Sequence, residues 1–177
     1  MHRRLMSAAI CAVALLAAAG CGSAGGSDVS AKQQGVHAAD GASDGTLQTV
    51  TYAGIKFEVP ADWPVYNLAD APATCVRFDV HAVYLGHPNP NMECPAGIIG
   101  RTETVQIEPN DNAVTRWTVG DGSATQSVNG LNATLDTTSN TRKEIVAKLT
   151  GPNVVVEITY SDTDADAQKI LTSVRGA

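Results

Sequence analysis

The chain has 177 residues, 44% of them hydrophobic, and its 18 acidic residues against 12 lysines and arginines give a formal net charge of −6. This length fits one domain with accessory segments. Nucleic acid and anionic lipid are recognised through clustered cations, so an acidic chain without a basic stripe argues against both as partners.

The first 20 residues have the layout of a secretory signal. Arg3 and Arg4 precede an apolar run from Leu5 to Ala19 that is rich in Ala and Leu. A membrane-spanning helix needs roughly 20 apolar residues, and this run is shorter. We predict that residues 1–20 direct export and are removed, which would reduce lysines and arginines from 12 to 10 and leave a net charge of about −8.

The end of that signal, Leu16-Ala17-Ala18-Ala19-Gly20-Cys21, resembles a bacterial lipobox. In that family a peptidase cuts before a diacylated cysteine, so the resemblance implies a protein anchored through Cys21 to the outer face of the cytoplasmic membrane. Two or more acyl chains suffice for stable anchoring. Ala18 stands where the family more often has Leu, and the alternative is an ordinary secretory signal that leaves Cys21 as a free thiol.

The four cysteines divide by position. Cys11 would leave with the signal and Cys21 would take the lipid, so Cys75 and Cys94 remain. In an oxidising compartment such a pair is predicted to form a disulfide. Closing this loop would stabilise the fold by roughly 3 kcal/mol in the chain-entropy model.

The segment after Cys21 differs in composition from the rest of the chain. Residues 22–45 are mainly Gly, Ala, Ser, Asp and Gln, with almost no large apolar side chain. They cannot bury enough surface to order themselves, which predicts a flexible tether with a reach of roughly 25–30 Å. The folded domain is predicted to cover residues 46–177.

Short strand patterns dominate this predicted domain. The strands are predicted at 47–52, 55–59, 75–85, 102–107, 112–119, 124–128, 131–135, 144–149 and 154–160, with tight turns at Ala53-Gly54 and Asn129-Gly130. Ser161 and Asp162 are predicted to cap a short amphipathic helix whose apolar stripe is Ile170, Leu171 and Val174. The pattern predicts an α+β fold, an antiparallel sheet with a short C-terminal helix packed on it.

The segment from Cys75 to Leu85 carries most of the candidate chemistry. Read at period two, Val76, Phe78, Val80, Ala82 and Tyr84 would share one strand face, and Cys75, Arg77, Asp79 and His81 the other. Trp63, ahead of this segment, is interpreted as a core residue more than as a binding platform.

The candidate binding residues are Arg77, Asp79, His81, His87, Arg101 and Glu103. An arginine could hold an anionic ligand, and a carboxylate beside a histidine could fix its tautomer. The competing interpretation is that Arg77, Asp79, His81 and Glu103 form a charge-paired network on a half-exposed face. A further alternative makes Asp79, His81 and Glu103 the acid and base groups of an enzyme.

Two groups of residues resemble metal-binding patterns, but neither has the full set of ligands or the spacing that the pattern requires. Cys75, His81, His87 and Cys94 lack the close cysteine pair of structural zinc sites, and exported thiols should oxidise first. Asp162, Asp164 and Asp166 imitate the start of an EF-hand loop, but Ala167 and Ser173 replace the required Gly and Glu. We predict no metal and no cofactor.

Two wider resemblances rest on motifs. The strings VPADWPV, CVRFDVHAVYLG, CP, GRTE and EP between Val59 and Pro109 resemble a module of unassigned function in exported proteins of high-GC Gram-positive bacteria. The opening hairpin, the stretch Val128 to Ala133 and the closing strand, turn, strand and helix are similar to PsbP-like lipoproteins. The second resemblance implies an antiparallel sheet with packed helices that serves as a binding or assembly module.

These patterns lead to one functional hypothesis and one alternative. The first is a non-enzymatic, membrane-anchored lipoprotein that binds an envelope protein or wall component through the Arg77 to His81 face and the loop 86–94. The alternative is a small-ligand receptor or a hydrolase that acts on wall glycan or peptide.

Overall fold

A computed structural model describes residues 45–94, 100–111, 123–136 and 141–177. The predicted signal, Cys21, most of the tether and the predicted strand 112–119 lie outside these ranges.

Ten strands and one helix make up the described chain. In chain order they are β1 (Leu47–Tyr52), β2 (Ile55–Pro60), β3 (Val65–Asn67), β4 (Ala82–Leu85), β5 (Thr104–Pro109), β6 (Ala124–Val128), β7 (Leu131–Asp136), β8 (Glu144–Leu149), β9 (Val154–Thr159), α1 (Ala165–Ser173) and β10 (Arg175–Gly176). The α+β class and the short C-terminal helix are confirmed.

The strands form two sheets. Sheet A has the order β1-β2-β10 and is antiparallel, and sheet B has the order β3-β4-β5-β9-β8-β7-β6. In sheet B, β4 runs parallel to both β3 and β5, while the other pairs are antiparallel. Sheet A is the predicted antiparallel sheet, whereas sheet B is mixed because β4 has a parallel neighbour on each side. The short strand β3, which the sequence patterns missed, supplies one of the parallel pairs.

Two hairpins follow the predicted turn residues. Ala53 and Gly54 join β1 to β2 with φ of 46° and 82°, and Asn129 and Gly130 join β6 to β7 with the same pair of angles. Two consecutive positive φ values define the turn type whose twist matches paired strands. Both turns are confirmed.

One apolar core lies between the sheets and the helix. Phe57 of β2, Ile107 of β5, Ile158 of β9 and Ile170 of α1 all belong to it. The strand IKFEVP buries every second residue, because successive side chains of a strand point to opposite faces. Sheet A and α1 thus pack on one face of sheet B.

The opposite face of sheet B is polar and still buried. Its buried polar residues are Thr104, Gln106, Glu108, Asp136, Glu144, Glu157 and Thr159, and Val146 and Val155 are buried on the same face. Near β4 this face becomes apolar, where Leu68, Ala82 and Tyr84 form a small second cluster.

The segment from Cys75 to His81 differs from its prediction. Only Ala82–Leu85 forms a strand, and residues 75–81 are irregular. Val76 and Val80 still pack together, against the small cluster on β4. The alternation therefore reflects a segment lying over the sheet, not a strand within it.

The helix start also differs from its prediction. Asp164, not Ser161 or Asp162, occupies the N-cap position of α1, and its side chain makes no capping hydrogen bond. The apolar stripe is confirmed, since Ile170, Leu171 and Val174 are buried.

Candidate functional site

The segment Cys75 to His81 is fixed along its length. Its first residue, Cys75, forms a disulfide with Cys94, which confirms the predicted pairing. The Phe78 carbonyl accepts a hydrogen bond from the Thr102 N–H at 2.7 Å, and the Val80 carbonyl accepts one from Thr104 Oγ1 at 2.7 Å. A segment held at several points presents its side chains at a low entropic cost of ordering.

Arg77 and Asp79 pair with each other. Arg77 Nη2 lies 2.6 Å from Asp79 Oδ2, and Arg77 Nε lies 3.0 Å from Asp79 Oδ1. Through these bonds Arg77 lowers the pKa of Asp79, and the same contact raises the pKa of Arg77. Asp79 therefore serves as a counterion, and an acid or base role for it is disfavoured.

His81 belongs to a different group of polar side chains. Its Nε2 lies 3.1 Å from Glu103 Oε2 and 2.8 Å from Thr102 Oγ1. The other carboxylate oxygen, Glu103 Oε1, accepts hydrogen bonds from the Ser161 N–H at 3.4 Å and from Ser161 Oγ at 3.3 Å. Partial burial raises the pKa of Glu103, but bonds from Thr102, its own N–H, Ser161 and His81 outweigh this and lower it.

Trp63 supports the His81 ring from one side. The two ring centroids are 5.2 Å apart, and the planes differ by 7°. Trp63 is itself buried in the main core. The expected core role of Trp63 is confirmed, and the residue also fixes the orientation of the candidate histidine.

The hydrogen bonds assign the tautomer of His81. The Thr102 hydroxyl donates to Glu103 Oε2 at 2.9 Å, so Thr102 Oγ1 can only accept from the ring. His81 Nε2 therefore carries the proton, and Nδ1 of the neutral ring has a lone pair. No hydrogen bond among the described residues uses Nδ1, and the side chain is 52% exposed.

His87 is held by two carboxylates. Its Nδ1 lies 3.0 Å from Glu108 Oε2, and its Nε2 lies 3.3 Å from Asp111 Oδ2. Glu108 is almost fully buried and also accepts a hydrogen bond from Gln106. Both ring nitrogens of His87 are therefore occupied.

Arg101 contacts two glutamates of the buried polar face. Its Nη1 is 3.2 Å from Glu144 Oε2 and 3.8 Å from Glu157 Oε1, and its guanidinium stands 5.1 Å from the centre of the Phe78 ring. Both glutamates are buried, and their charge is compensated by Arg101 together with Arg142, whose Nε lies 2.8 Å from Glu144 Oε1.

The six predicted binding residues thus fall into four separate arrangements. Arg77 pairs with Asp79, His81 with Glu103, His87 with Glu108 and Asp111, and Arg101 with Glu144 and Glu157. Arg77, Asp79, His81 and Glu103 form two charge pairs, Arg77 with Asp79 and His81 with Glu103. Sequence reasoning missed Thr102 and Ser161, and Ser161 is 58 residues from Glu103, so no local pattern could have indicated it.

Metal ligands do not assemble in the described part of the chain. The sulfurs of Cys75 and Cys94 are bonded to each other, and no group of three or more His, Cys, Asp or Glu residues there could hold an ion. Nor is any helix within those residues long and apolar enough to cross a membrane.

Comparison with known proteins returned no relative. No family model, no curated protein and no solved structure matches this chain.

Proposed function

We propose that this chain is an exported lipoprotein, anchored through Cys21 to the outer face of the cytoplasmic membrane, whose folded part is a non-enzymatic binding or assembly module. Its partner would be another envelope protein or a wall component. The anchor rests on the signal and lipobox resemblances of residues 1–21. The disulfide between Cys75 and Cys94 supports export, because such bonds persist mainly in oxidising compartments.

One observation carries the binding role. The half-exposed His81 ring is fixed by Trp63 on one face and by Glu103 and Thr102 at Nε2, which leaves Nδ1 for a partner. The Arg77–Asp79 pair lies two residues away on the same stapled segment. Exposed side chains whose geometry is set in advance favour recognition, since little freedom is lost on binding.

The anchor is tested in an exporting bacterial host. Cys21→Ser should move the protein from the membrane fraction to the medium, and the mass of the N-terminal peptide should lose its acyl chains. Cys11→Ser is the matched control, since Cys11 lies in the predicted signal and should leave membrane association unchanged. Membrane retention of Cys21→Ser without acylation of the wild type would overturn the anchor.

The partner surface is tested by crosslinking in intact cells. The double substitution Arg77→Ala and His81→Ala should abolish recovery of the crosslinked partner, while Lys169→Ala, which removes an exposed cation on α1, should not. Unchanged recovery in the double variant would refute this surface. A wild type without any saturable partner would indicate a passive spacer instead.

A hydrolase is the second candidate, and the His81–Glu103 pair is the observation that favours it. A carboxylate that fixes a histidine tautomer prepares the opposite nitrogen to act as a general base. Turnover of wall glycan or peptide that is lost in both His81→Asn and Glu103→Gln would favour this function over the binding module.

A further inference from the structure

β1 is the outer strand of sheet A. It pairs with β2 over six consecutive residues, and no strand within the described ranges pairs with its other edge. Its sequence, LQTVTY, has no charge and no proline, and its pairing contains no bulge. Exposed edges are usually protected by lysines, prolines, bulges or short length, and β1 has none of these devices.

Two hydrogen bonds show which residues of β1 face the open edge. The Thr46 carbonyl accepts from the Ala61 N–H at 3.1 Å, so even-numbered residues bond toward β2. The N–H of Glu58, which lies opposite Thr49, donates to Ser173 Oγ at 2.9 Å on the far side of β2. Because antiparallel residues alternate in this way, the odd-numbered residues of β1 direct their backbone groups outward.

Three residues therefore offer a donor and an acceptor each. Leu47, Thr49 and Thr51 have outward N–H and C=O groups, and their side chains are exposed on the face away from the core. Leu47, at 60% exposure, is the most exposed large hydrophobic residue of the described chain.

The other edge strands offer fewer outward-facing backbone groups for pairing. β10 has two residues and β3 has three, and the carbonyl of Asn67 in β3 already accepts hydrogen bonds from Asp70 and Ala71. β6 has five residues, and by the same alternation only Thr125 and Ser127 point outward. β1 is the longest regular edge among them.

We propose that β1 pairs with β1 of a second copy of this chain, antiparallel about a two-fold axis at Thr49. Thr49 then faces Thr49 of the second copy, and Leu47 faces Thr51 of the second copy. The two copies of sheet A join into one sheet of six strands. This dimer does not depend on the proposed membrane anchor.

A second copy fits this edge better than an unrelated extended peptide. Peptides that add to an edge gain specificity from pockets for alternate side chains, but the side chains of Leu47, Thr49 and Thr51 along this edge are exposed. A two-fold axis instead places matched neutral side chains opposite each other, and threonine pairs across strands are favourable. The chain has a net charge of −6, yet β1 places no like charges in contact.

The dimer is tested by disulfide trapping of the full chain in an exporting host. Paired residues at the axis lie about 5.5 Å apart at Cα, within the range for a disulfide, so Thr49→Cys should form a covalent dimer on a non-reducing gel. Thr51→Cys is the matched control, because the two copies of residue 51 would be roughly 13 Å apart. Equal trapping of both variants, or none in Thr49→Cys, overturns the proposal.

A second experiment uses the edge chemistry directly. Thr49→Pro removes the central donor in both copies without touching a β1–β2 bond, so self-association measured by sedimentation of the detergent-solubilised chain should weaken roughly tenfold or more. Thr125→Pro on β6 should leave it unchanged. If Thr125→Pro dissociates the dimer and Thr49→Pro does not, β6 is the interface and the proposal is wrong.

Unchanged folding in both proline variants is checked by circular dichroism. Should Thr49→Pro misfold, Thr49→Lys and Thr49→Glu replace it, because each alone places like charges at the axis while an equal mixture pairs opposite charges. If the mixture of Thr49→Lys and Thr49→Glu associates while each variant alone does not, the proposal is supported. If each variant alone still forms a dimer and the mixture associates no better, the proposal is contradicted.

Discussion

His81 comes just before β4 in the chain and His87 comes just after it. Each contacts a glutamate at or near β5, but the surroundings of the two rings differ. His81 is half exposed, stacks on Trp63 and keeps Nδ1 outside the described hydrogen bonds. His87 is 23% exposed and has a carboxylate at each ring nitrogen. One ring is oriented for an outside contact, whereas the other is used within the fold.

This difference separates a candidate site from a structural contact that resembles one. His81 and His87 are both candidate binding residues when only the sequence is considered. Only the structure shows that Glu108 is buried and receives a donor from His87, while Glu103 also accepts hydrogen bonds from Thr102 and Ser161. We therefore expect His87 to affect stability and His81 to affect recognition.

The largest effect should come from removing the support of His81. Trp63→Ala creates a cavity in the main core and should lower the free energy of unfolding by about 3–5 kcal/mol in urea titrations. Trp63→Phe keeps an apolar ring beneath His81 and should cost less than half as much. Equal losses in the two variants would contradict a packing role for the indole.

The disulfide joins the segment that carries His81 to the loop that carries His87. Replacing both Cys75 and Cys94 by Ser should lower the free energy of unfolding by about 3 kcal/mol, because the unfolded chain regains the freedom of a 19-residue loop. Reduction of the wild type should reproduce the loss, and the double variant should then no longer respond to reductant. A reductant response in the double variant would mean that another thiol is involved.

Replacing each histidine by alanine tests directly whether His87 contributes more to stability than His81. His87→Ala should cost about 1–3 kcal/mol, because the buried Glu108 loses a donor. His81→Ala should cost about 1 kcal/mol, the worth of a stacked pair, and His81→Phe should restore that loss without restoring partner recovery. The comparison fails if His81→Ala is the more destabilising change in thermal or urea unfolding.

The smallest effect concerns pH. The pKa of Glu103 is lowered in the folded state, so its contribution to stability is present above its ordinary pKa and is lost as pH falls through the lowered value. Glu103→Gln should therefore lose about 0.5–1 kcal/mol less stability than the wild type between pH 6 and pH 3. Asp62→Asn, an exposed carboxylate, serves as the control and should follow the wild type.

Local patterns predicted much of the sheet framework. The Ala53-Gly54 and Asn129-Gly130 turns were identified because their residues accept positive φ, and both hairpins form with the expected strands. The β-branched run of β9 was equally clear, since it packs on both of its faces. These features depend on neighbours in the sequence, which is why the sequence reveals them.

Features that depend on distant residues were not predictable. The period-two pattern of residues 75–81 fits a strand, but a strand also needs a neighbour for its backbone bonds, and this segment bonds instead through Phe78 and Val80 to Thr102 and Thr104. The polar residues of β5 alternate as on a solvent-facing strand, yet Gln106 and Glu108 are buried. Whether Gln106 and Glu108 are buried depends on residues that are distant in the sequence and pack over them in the fold.

The same limit applies to the candidate site. The sequence grouped His81 and Glu103 with Arg77, Asp79 and Arg101, and the structure shows that His81 and Glu103 are in contact although they are 22 residues apart. The sequence could not show that Arg77 and Asp79 form an ion pair with each other. Nor could it show that Arg101 forms ion pairs with two glutamates, one on β8 and one on β9. Residue types suggested the chemistry, and the strand register decided which groups meet.

The closing strand β10 has a consequence for the order of folding. Arg175 pairs with Lys56 in β2, and its guanidinium reaches Glu58, 117 residues earlier in the chain, at 2.9 Å. Pairings over such separations form slowly because a long loop must close first. Sheet A therefore cannot be completed until residue 176 has been synthesised, and until then the hairpin of β1 and β2 lacks its third strand.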